Sequence, residues 1–300
     1  MPDQLTRPAS FEAYLELMEA RRAKSAGASR PETVFVPDPT DVIISPYGKC
    51  GTTWLQQIVH TLRTRGDTDF DDISRVVPWI ETSDTLGLDL DAPQRGAFRA
   101  YKSHLGYDTI PKGARYIVSF RDPRDAVVSL FRFTEGWFFE VGSVDVNAFA
   151  RHRYLEGEPG RSYWSHLLSW WEQRDSESVL LLAYEQMVRD PVQAIRHVAS
   201  FTGVELDEAL LDLTRQRSSL DYMLRNKHQF DDKLMRDHTE RTLGFPSGSD
   251  SAKVRQGTVG SHRQELGDDV VQALDARWTQ EVTPVTGLST YQDLLQQLGN

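Results

Sequence analysis

The stretch that most restricts the fold is Asp41 to Leu62, DVIISPYGKCGTTWLQQIVHTL: an apolar run, a tight turn with two glycines and two threonines, then apolar residues at helical spacing. It reads as a strand feeding a phosphate-binding loop and a helix. Such a turn aims backbone N–H groups and the positive end of the helix dipole at one point, where an anion binds. Gly51 permits close backbone approach, and Thr52 and Thr53 add hydroxyl donors. The nucleotide-triphosphate loop G-x-x-x-x-G-K-[ST] places its lysine after the last glycine to reach the β and γ phosphates. Here Thr52 takes that place, and Lys49 stands in front of Gly51, where it would face a diphosphate-like group. On the loop alone, a plain strand-to-helix turn stays open.

Short, mostly continuous apolar runs follow at Val42–Ser45, Phe98–Ser103, Tyr116–Phe120 and Val179–Tyr184. Such runs suit a parallel sheet buried on both faces. Helical patterns lie between or after them at Thr52–Arg63, Pro123–Phe133, Ser162–Arg174 and Pro191–Thr202, with Pro123 and Pro191 suited to first turns. The expected fold is therefore α/β, a P-loop-like central parallel sheet flanked by helices on both faces, in a single domain over residues 1–300. Residues 1–38 read as a peripheral amphipathic helix, with Phe11, Tyr14, Leu15 and Met18 in phase, and a polar linker. Residues 135–160 and 227–253 exceed ordinary loop length and read as lids or inserts.

Charge and cysteine content narrow the function. A net charge of −10 argues against nucleic-acid binding, which needs a broad basic face. One cysteine leaves no disulfide framework and no zinc cluster, and points to a reducing compartment, the cytoplasm. The first residues lack a basic stretch followed by an apolar core, and no run approaches 18 apolar residues, so neither secretion nor a membrane span is expected.

A second anion signal is SFRDPRDAVVSLFRF, Ser119–Phe133, where a strand ends at Arg121 and a helix carries Ser129 eight residues later. Arg121 sits at the carboxyl end of a strand, the edge at which open α/β sheets bind ligands. By itself an arginine there is more often half of a surface ion pair.

Together, YGKCGTTW and RDPRDAVVS resemble the soluble sulfotransferases that use 3′-phosphoadenosine 5′-phosphosulfate (PAPS). Their 5′-phosphosulfate loop reads Y-P-K-S-G-T-T-W, and their 3′-phosphate motif is an arginine with a serine eight residues on. YKSHL at Tyr101–Leu105 is similar to the segment carrying their catalytic histidine. VLLLAYEQM, SSLDYMLRN and RQGTVG resemble three further segments in the family's order. The six anchors run from Tyr47 to Gly260, and joint occurrence is far more specific than any one of them. RDPRDA and VVPWIE look more like bacterial members.

The resemblance implies transfer of a sulfuryl group from PAPS to a hydroxyl of a small-molecule, lipid or glycolipid acceptor, by in-line displacement and without a metal. It assigns Lys49, Cys50, Gly51, Thr52 and Thr53 to the 5′-phosphate, and Arg121, Ser129, Arg255, Gln256 and Gly257 to the 3′-phosphate. Trp54, Tyr184, Ser219 and Leu220 would hold the adenine. His104 would be the general base, Lys49 and Lys102 would offset developing charge, and Ser129 would modulate Lys49. Trp79, Trp137, Phe138 and Phe139 are candidates for an apolar acceptor wall, or equally for core. Gly48 and Cys50 depart from the usual proline and serine, replacing a hydroxyl donor with a weak thiol. A nucleotide kinase and an inactive nucleotide-binding relative are the rival readings. Monomer and homodimer both stay open.

Overall fold

A computed structural model describes residues 6–26, 35–157, 160, 162–249 and 253–299. Its centre is a four-stranded sheet in the order β2-β1-β3-β4, built of β1 Val42–Ile44, β2 Ala100–Lys102, β3 Arg115–Phe120 and β4 Val179–Ala183. Every pairing is parallel, with Ile43 opposite Tyr101 on one side and Tyr116 on the other.

The two-residue period of a strand divides these apolar runs between two cores. Ile43, Tyr101, Tyr116, Val118 and Phe120 enter one core, with Phe131, Trp164 and Trp170. Val42, Ile44, Ala100, Ile117 and Leu182 enter the other, with Leu55, Ile58, Val59 and Ile195. Because both faces are covered, almost every strand position is apolar, and full burial of each such side chain contributes about 1.5–3 kcal/mol. Helices Pro123–Thr134 and Tyr163–Trp171 cover the first face; Thr52–Thr64 and Pro191–Thr202 cover the second. Pro123 and Pro191 occupy first turns, and Asp122 and Asp190 cap them.

The amino-terminal helix, Phe11–Ala26, is less peripheral than its linker suggests. Tyr14 is buried, its ring 5.3 Å from that of Phe139, and Phe11, Leu15 and Met18 pack on the same core. Residues 27–34 of the expected linker lie outside the described residues. Residues 135–157 contain helix Val146–Ala150 and a wide helical turn at Arg151–Leu155, with Phe149 and Tyr154 buried. Residues 227–249 contain helix Lys233–Leu243, with Phe230, Asp232 and Glu240 buried. Both segments thus contribute to packed interior. Among the described residues no helix is long and apolar enough to cross a membrane.

Candidate active site

Everything of chemical interest gathers at the carboxyl edge of the sheet. β1 runs through Pro46 into the turn Tyr47–Gly51, closed by the Cys50 N–H donating to the Tyr47 carbonyl at 3.1 Å. Lys49 and Gly51 both take left-handed backbone, φ 68° and φ 100°. At Gly51 a Cβ would lie 3.2 Å from Ser119 Oγ and from the Tyr184 ring, so the turn needs glycine for space as well as conformation. Gly51 is also the N-cap of helix Thr52–Thr64 and supplies no side-chain cap to its first N–H groups. The Thr52 hydroxyl is buried and finds no acceptor among the described residues. Uncapped N–H groups beside an orphaned buried hydroxyl fit a phosphate that the protein itself does not supply.

Arg121 follows β3 and braces this turn. Its guanidinium donates to the Lys49 carbonyl at 3.0 Å and to the Thr258 carbonyl at 3.2 Å, and lies 4.3 Å over the Tyr184 ring. Its Nε is buried without a partner among the described residues. Thr258 belongs to the Arg255–Gly260 segment, which the Asp125 carboxylate ties to the helix after Arg121. That carboxylate accepts from the N–H groups of Gly260 (2.6 Å) and His262 (3.0 Å), from His262 Nδ1 (2.8 Å) and from the Ser261 hydroxyl (3.4 Å). Arg255 faces Glu265 at 3.8 Å. Gly257, at φ 62°, would place a Cβ 3.3 Å from Leu220 and 3.7 Å from the Tyr184 hydroxyl. Trp54 meets Tyr184 edge-on at 5.9 Å, and its Nε1 is likewise orphaned. Tyr184, Leu220, Gly257 and Trp54 therefore converge through Tyr184 and Leu220. Ser219 caps the helix Leu220–Arg225 that carries Leu220. Ser129 is half-buried on the second turn of helix Pro123–Thr134, while Thr53 is half-buried and Gln256 exposed.

His104 follows β2. Its Nδ1 lies 2.7 Å from the Pro46 carbonyl, and a carbonyl can only accept, so Nδ1 carries the proton and Nε2 keeps its lone pair. The His104 N–H donates to Glu81 Oε1 at 2.7 Å, and Trp79 packs edge-on at 5.2 Å. Burial, then the charge of Lys102, push the imidazole pKa down to about 3 against the pull of the Pro46 carbonyl, so the ring is neutral. Burial raises the Glu81 carboxyl, and the His104 N–H opposes that shift.

Four more ionisable groups form a linked cluster that reaches the histidine through Lys102 and Asp232. Lys102 lies 3.9 Å over the Trp79 ring and 3.6 Å from Asp232, which is itself 2.5 Å from Lys253. Lys49 lies 4.5 Å over Phe133 and donates to the Lys253 carbonyl at 3.1 Å. Burial, then Lys253 and Arg121, bring Lys49 to about 7; burial brings Lys102 to about 8, with Asp232 resisting. Burial instead pushes the Cys50 thiol up to about 12, so the side chain is a buried thiol rather than a thiolate, and its N–H is already given to the Tyr47 carbonyl.

Of the two alternatives left open for the four aromatic candidates, the structure takes the core one for Phe139. Phe139 is fully buried among Tyr14, Phe131 and Phe149, and is core rather than acceptor wall. The turn at Gly136, whose N–H donates to the Phe139 carbonyl, folds that side chain inward. Trp137 is also buried, packed on Phe133 beneath Lys49, and half-buried Phe138 packs on Trp137 and under Arg21. Trp79 is the aromatic candidate that reaches His104. Sequence pattern missed Glu81, Asp125, Phe133, Asp232 and Lys253, because what places them is contact between segments far apart in the chain. A cavity of about 730 Å³ between residues 68–78 and 89–95 shares no lining residue with this cluster. Two of its arginines are already paired, Arg95 with Asp67 and Asp69, Arg75 with Asp71.

A P-loop-like α/β fold whose strand edge combines an uncapped loop, a bracing arginine and a buried histidine is the frame of a transferase. Residues 39–286 match the sulfotransferase domain family, and the chain belongs to it; the protein is a sulfotransferase. Rat sulfotransferase 2A1 is 30% identical over 261 residues, covering 80% of this chain and 84% of its own. Firefly (Photinus pyralis) luciferin sulfotransferase is 26% identical over 279 residues, 81% of this chain and 71% of its own. Among solved structures, retinol dehydratase in complex with androsterone and the inactive cofactor PAP superposes with TM-score 0.66 at 20% identity, covering 84% and 83% of the two chains. Mouse sulfotransferase SULT7A1 complexed with PAP superposes with TM-score 0.65 at 21% identity, covering 89% and 91%.

Proposed function

We propose that this sulfotransferase takes its sulfuryl group from PAPS and passes it to a small-molecule hydroxyl, with His104 as general base. The observation that carries this reading is the Pro46 contact, which leaves Nε2 as the proton-accepting nitrogen beside Lys102 and the anion loop. PAPS, when bound, supplies a sulfuryl group on a phosphate leaving group.

The chain's own residues do the rest. Nε2 of His104 accepts the hydroxyl proton as that oxygen forms its bond to sulfur, and the ammonium groups of Lys49 and Lys102 offset charge on the departing side. The N–H groups of Lys49, Gly51, Thr52 and Thr53, with the Thr52 hydroxyl, would hold the 5′-phosphate, and Cys50 closes the loop around it. Arg121, Ser129 and Arg255, with backbone at Gln256 and Gly257, hold the 3′-phosphate, where the guanidinium fork matches phosphate geometry. Trp54, Tyr184, Ser219 and Leu220 bound the adenine. Trp79 offers the acceptor an apolar face, in keeping with relatives whose names refer to luciferin and hydroxysteroids.

Calorimetry with adenosine 3′,5′-bisphosphate, ATP and ADP, first without metal and then with Mg²⁺, tests the donor. Tight, metal-independent binding of the bisphosphate alone is expected. Preference for ATP with Mg²⁺ would reject the PAPS reading in favour of a kinase-like one.

A further inference from the structure

The loop, Arg121 and the Lys102–His104 pair all find a place in sulfuryl transfer, but two ionised side chains in the same cluster do not: Asp232 and Lys253. Their side chains are 3% and 6% exposed, and that of Lys102 is 3% exposed. A carboxylate buried that deeply is strongly unfavourable unless it is paired, and this one is paired twice.

Its position is built from several directions. Asp232 takes left-handed backbone, φ 47°, at the start of helix Lys233–Leu243. Asp72 fixes that start, accepting from the Leu234 N–H at 3.0 Å and from the Ser74 N–H at 2.8 Å, while the Ser74 hydroxyl lies 3.5 Å from Asp232 Oδ1. The carboxylate thus enters the site from a segment 130 residues beyond Lys102, with one oxygen on Lys253 and the other on Lys102.

We propose that Asp232 is a positioning residue of the transfer site, whose carboxylate holds the ammonium groups of Lys102 and Lys253 in place beside His104. Lys253 opposes the charge of Lys102, and the carboxylate between the two ammonium groups offsets that repulsion. It also keeps Lys102 protonated: Asp232, Glu81 and Asp72 favour its charge, while burial and Lys253 oppose it. Of the remaining neighbours, His104 is neutral, and Lys49 itself responds to Lys253, Arg121, Asp232 and Lys102. A neutral Lys102 has no charge to offer a sulfuryl group, so the carboxylate extends the site's competence into alkaline pH. This inference rests on the sulfuryl-transfer reading above.

The chain contains seven lysines, few enough to follow individually by NMR with ¹³Cε label, with the Lys102 signal assigned through Lys102→Arg. The titrations use the full chain without nucleotide. In Asp232→Asn the Lys102 midpoint is expected to fall by about one pH unit or more. In Lys253→Met it is expected to rise, because the opposing charge of Lys253 is gone and the carboxylate is left to Lys102 alone. Shifts of opposite sign are the signature, and a merely structural aspartate would not produce them. An unmoved midpoint in either folded variant, or shifts of the same sign, would overturn the proposal. Should Asp232→Asn fail to fold, Asp232→Glu takes its place, since it keeps the charge but moves the carboxylate, and an unmoved Lys102 midpoint there would overturn the proposal. Calorimetry of wild type with adenosine 3′,5′-bisphosphate runs alongside: no binding would reject the PAPS reading, whereas binding with an unmoved Lys102 midpoint would reject only the role of Asp232.

Discussion

The carbonyl of Pro46 lies 2.7 Å from Nδ1 of His104, so the backbone that leads into the anion loop also fixes the tautomer of the histidine. One strand end therefore serves two tasks, placing the N–H groups proposed to bind phosphate and orienting the proposed base. His104→Ala is expected to lower transfer by about 100-fold or more while leaving adenosine bisphosphate affinity unchanged. Comparison of single-turnover rates with calorimetric affinity checks this, and near-normal turnover would remove His104 from its role.

Lys49 has a midpoint of about 7 in the free protein because burial and neighbouring cations oppose its charge. A phosphate brought to the loop favours the protonated form and raises that midpoint. At about pH 8, binding of adenosine bisphosphate should therefore take up close to one proton, and affinity should fall as pH rises above the free midpoint. Binding enthalpies measured in buffers of different ionisation heat give the proton count. Identical enthalpies in all buffers would mean that Lys49 does not face the phosphate.

The parts of the molecule that were legible in sequence are those governed by local pattern. All four strands and the helices beginning at Thr52, Pro123 and Pro191 lie within a few residues of their expected positions, because a doubly covered parallel strand must be apolar almost throughout. The charged interior was not legible. Nothing in the sequence around Asp232 distinguishes it from the neighbouring Asp231, yet Asp232 is buried against two lysines while Asp231 pairs with Arg236. Aromatic residues posed the same difficulty: Trp137, Phe138 and Phe139 are adjacent, and a single turn at Gly136 decides which of them enters the core.

Arg121 ties the Lys49 carbonyl to the Thr258 carbonyl, joining the two proposed phosphate sites through one guanidinium. Arg121→Lys keeps the charge but loses the fork. The expected result is about ten- to hundredfold weaker binding of adenosine 3′,5′-bisphosphate, with a much smaller loss for adenosine 5′-monophosphate, whose loop Arg121 braces. An equal loss for both nucleotides would place Arg121 at the 5′-phosphate instead.

Asp125 gives a stability prediction of definite sign. Burial opposes its ionisation, but the donors from His262 and Gly260 prevail and hold its pKa at about 2, below the ordinary value of 3.8. A depressed carboxylate stabilises the fold fully above its unfolded pKa, and that contribution disappears as pH falls through the folded one. Wild type should accordingly lose stability between about pH 4 and pH 2, and Asp125→Asn should lack that part of the decline. Asp125→Ala leaves the Gly260 and His262 N–H groups without their acceptor, and is expected to cost about 2–4 kcal/mol in urea unfolding at neutral pH. The same substitution frees the segment that carries Arg255 and Gly257, so adenosine 3′,5′-bisphosphate should bind more weakly and the 5′-monophosphate should not. If Asp125→Ala is destabilised yet binds both nucleotides as wild type does, Asp125 supports the fold without shaping the proposed 3′-phosphate site.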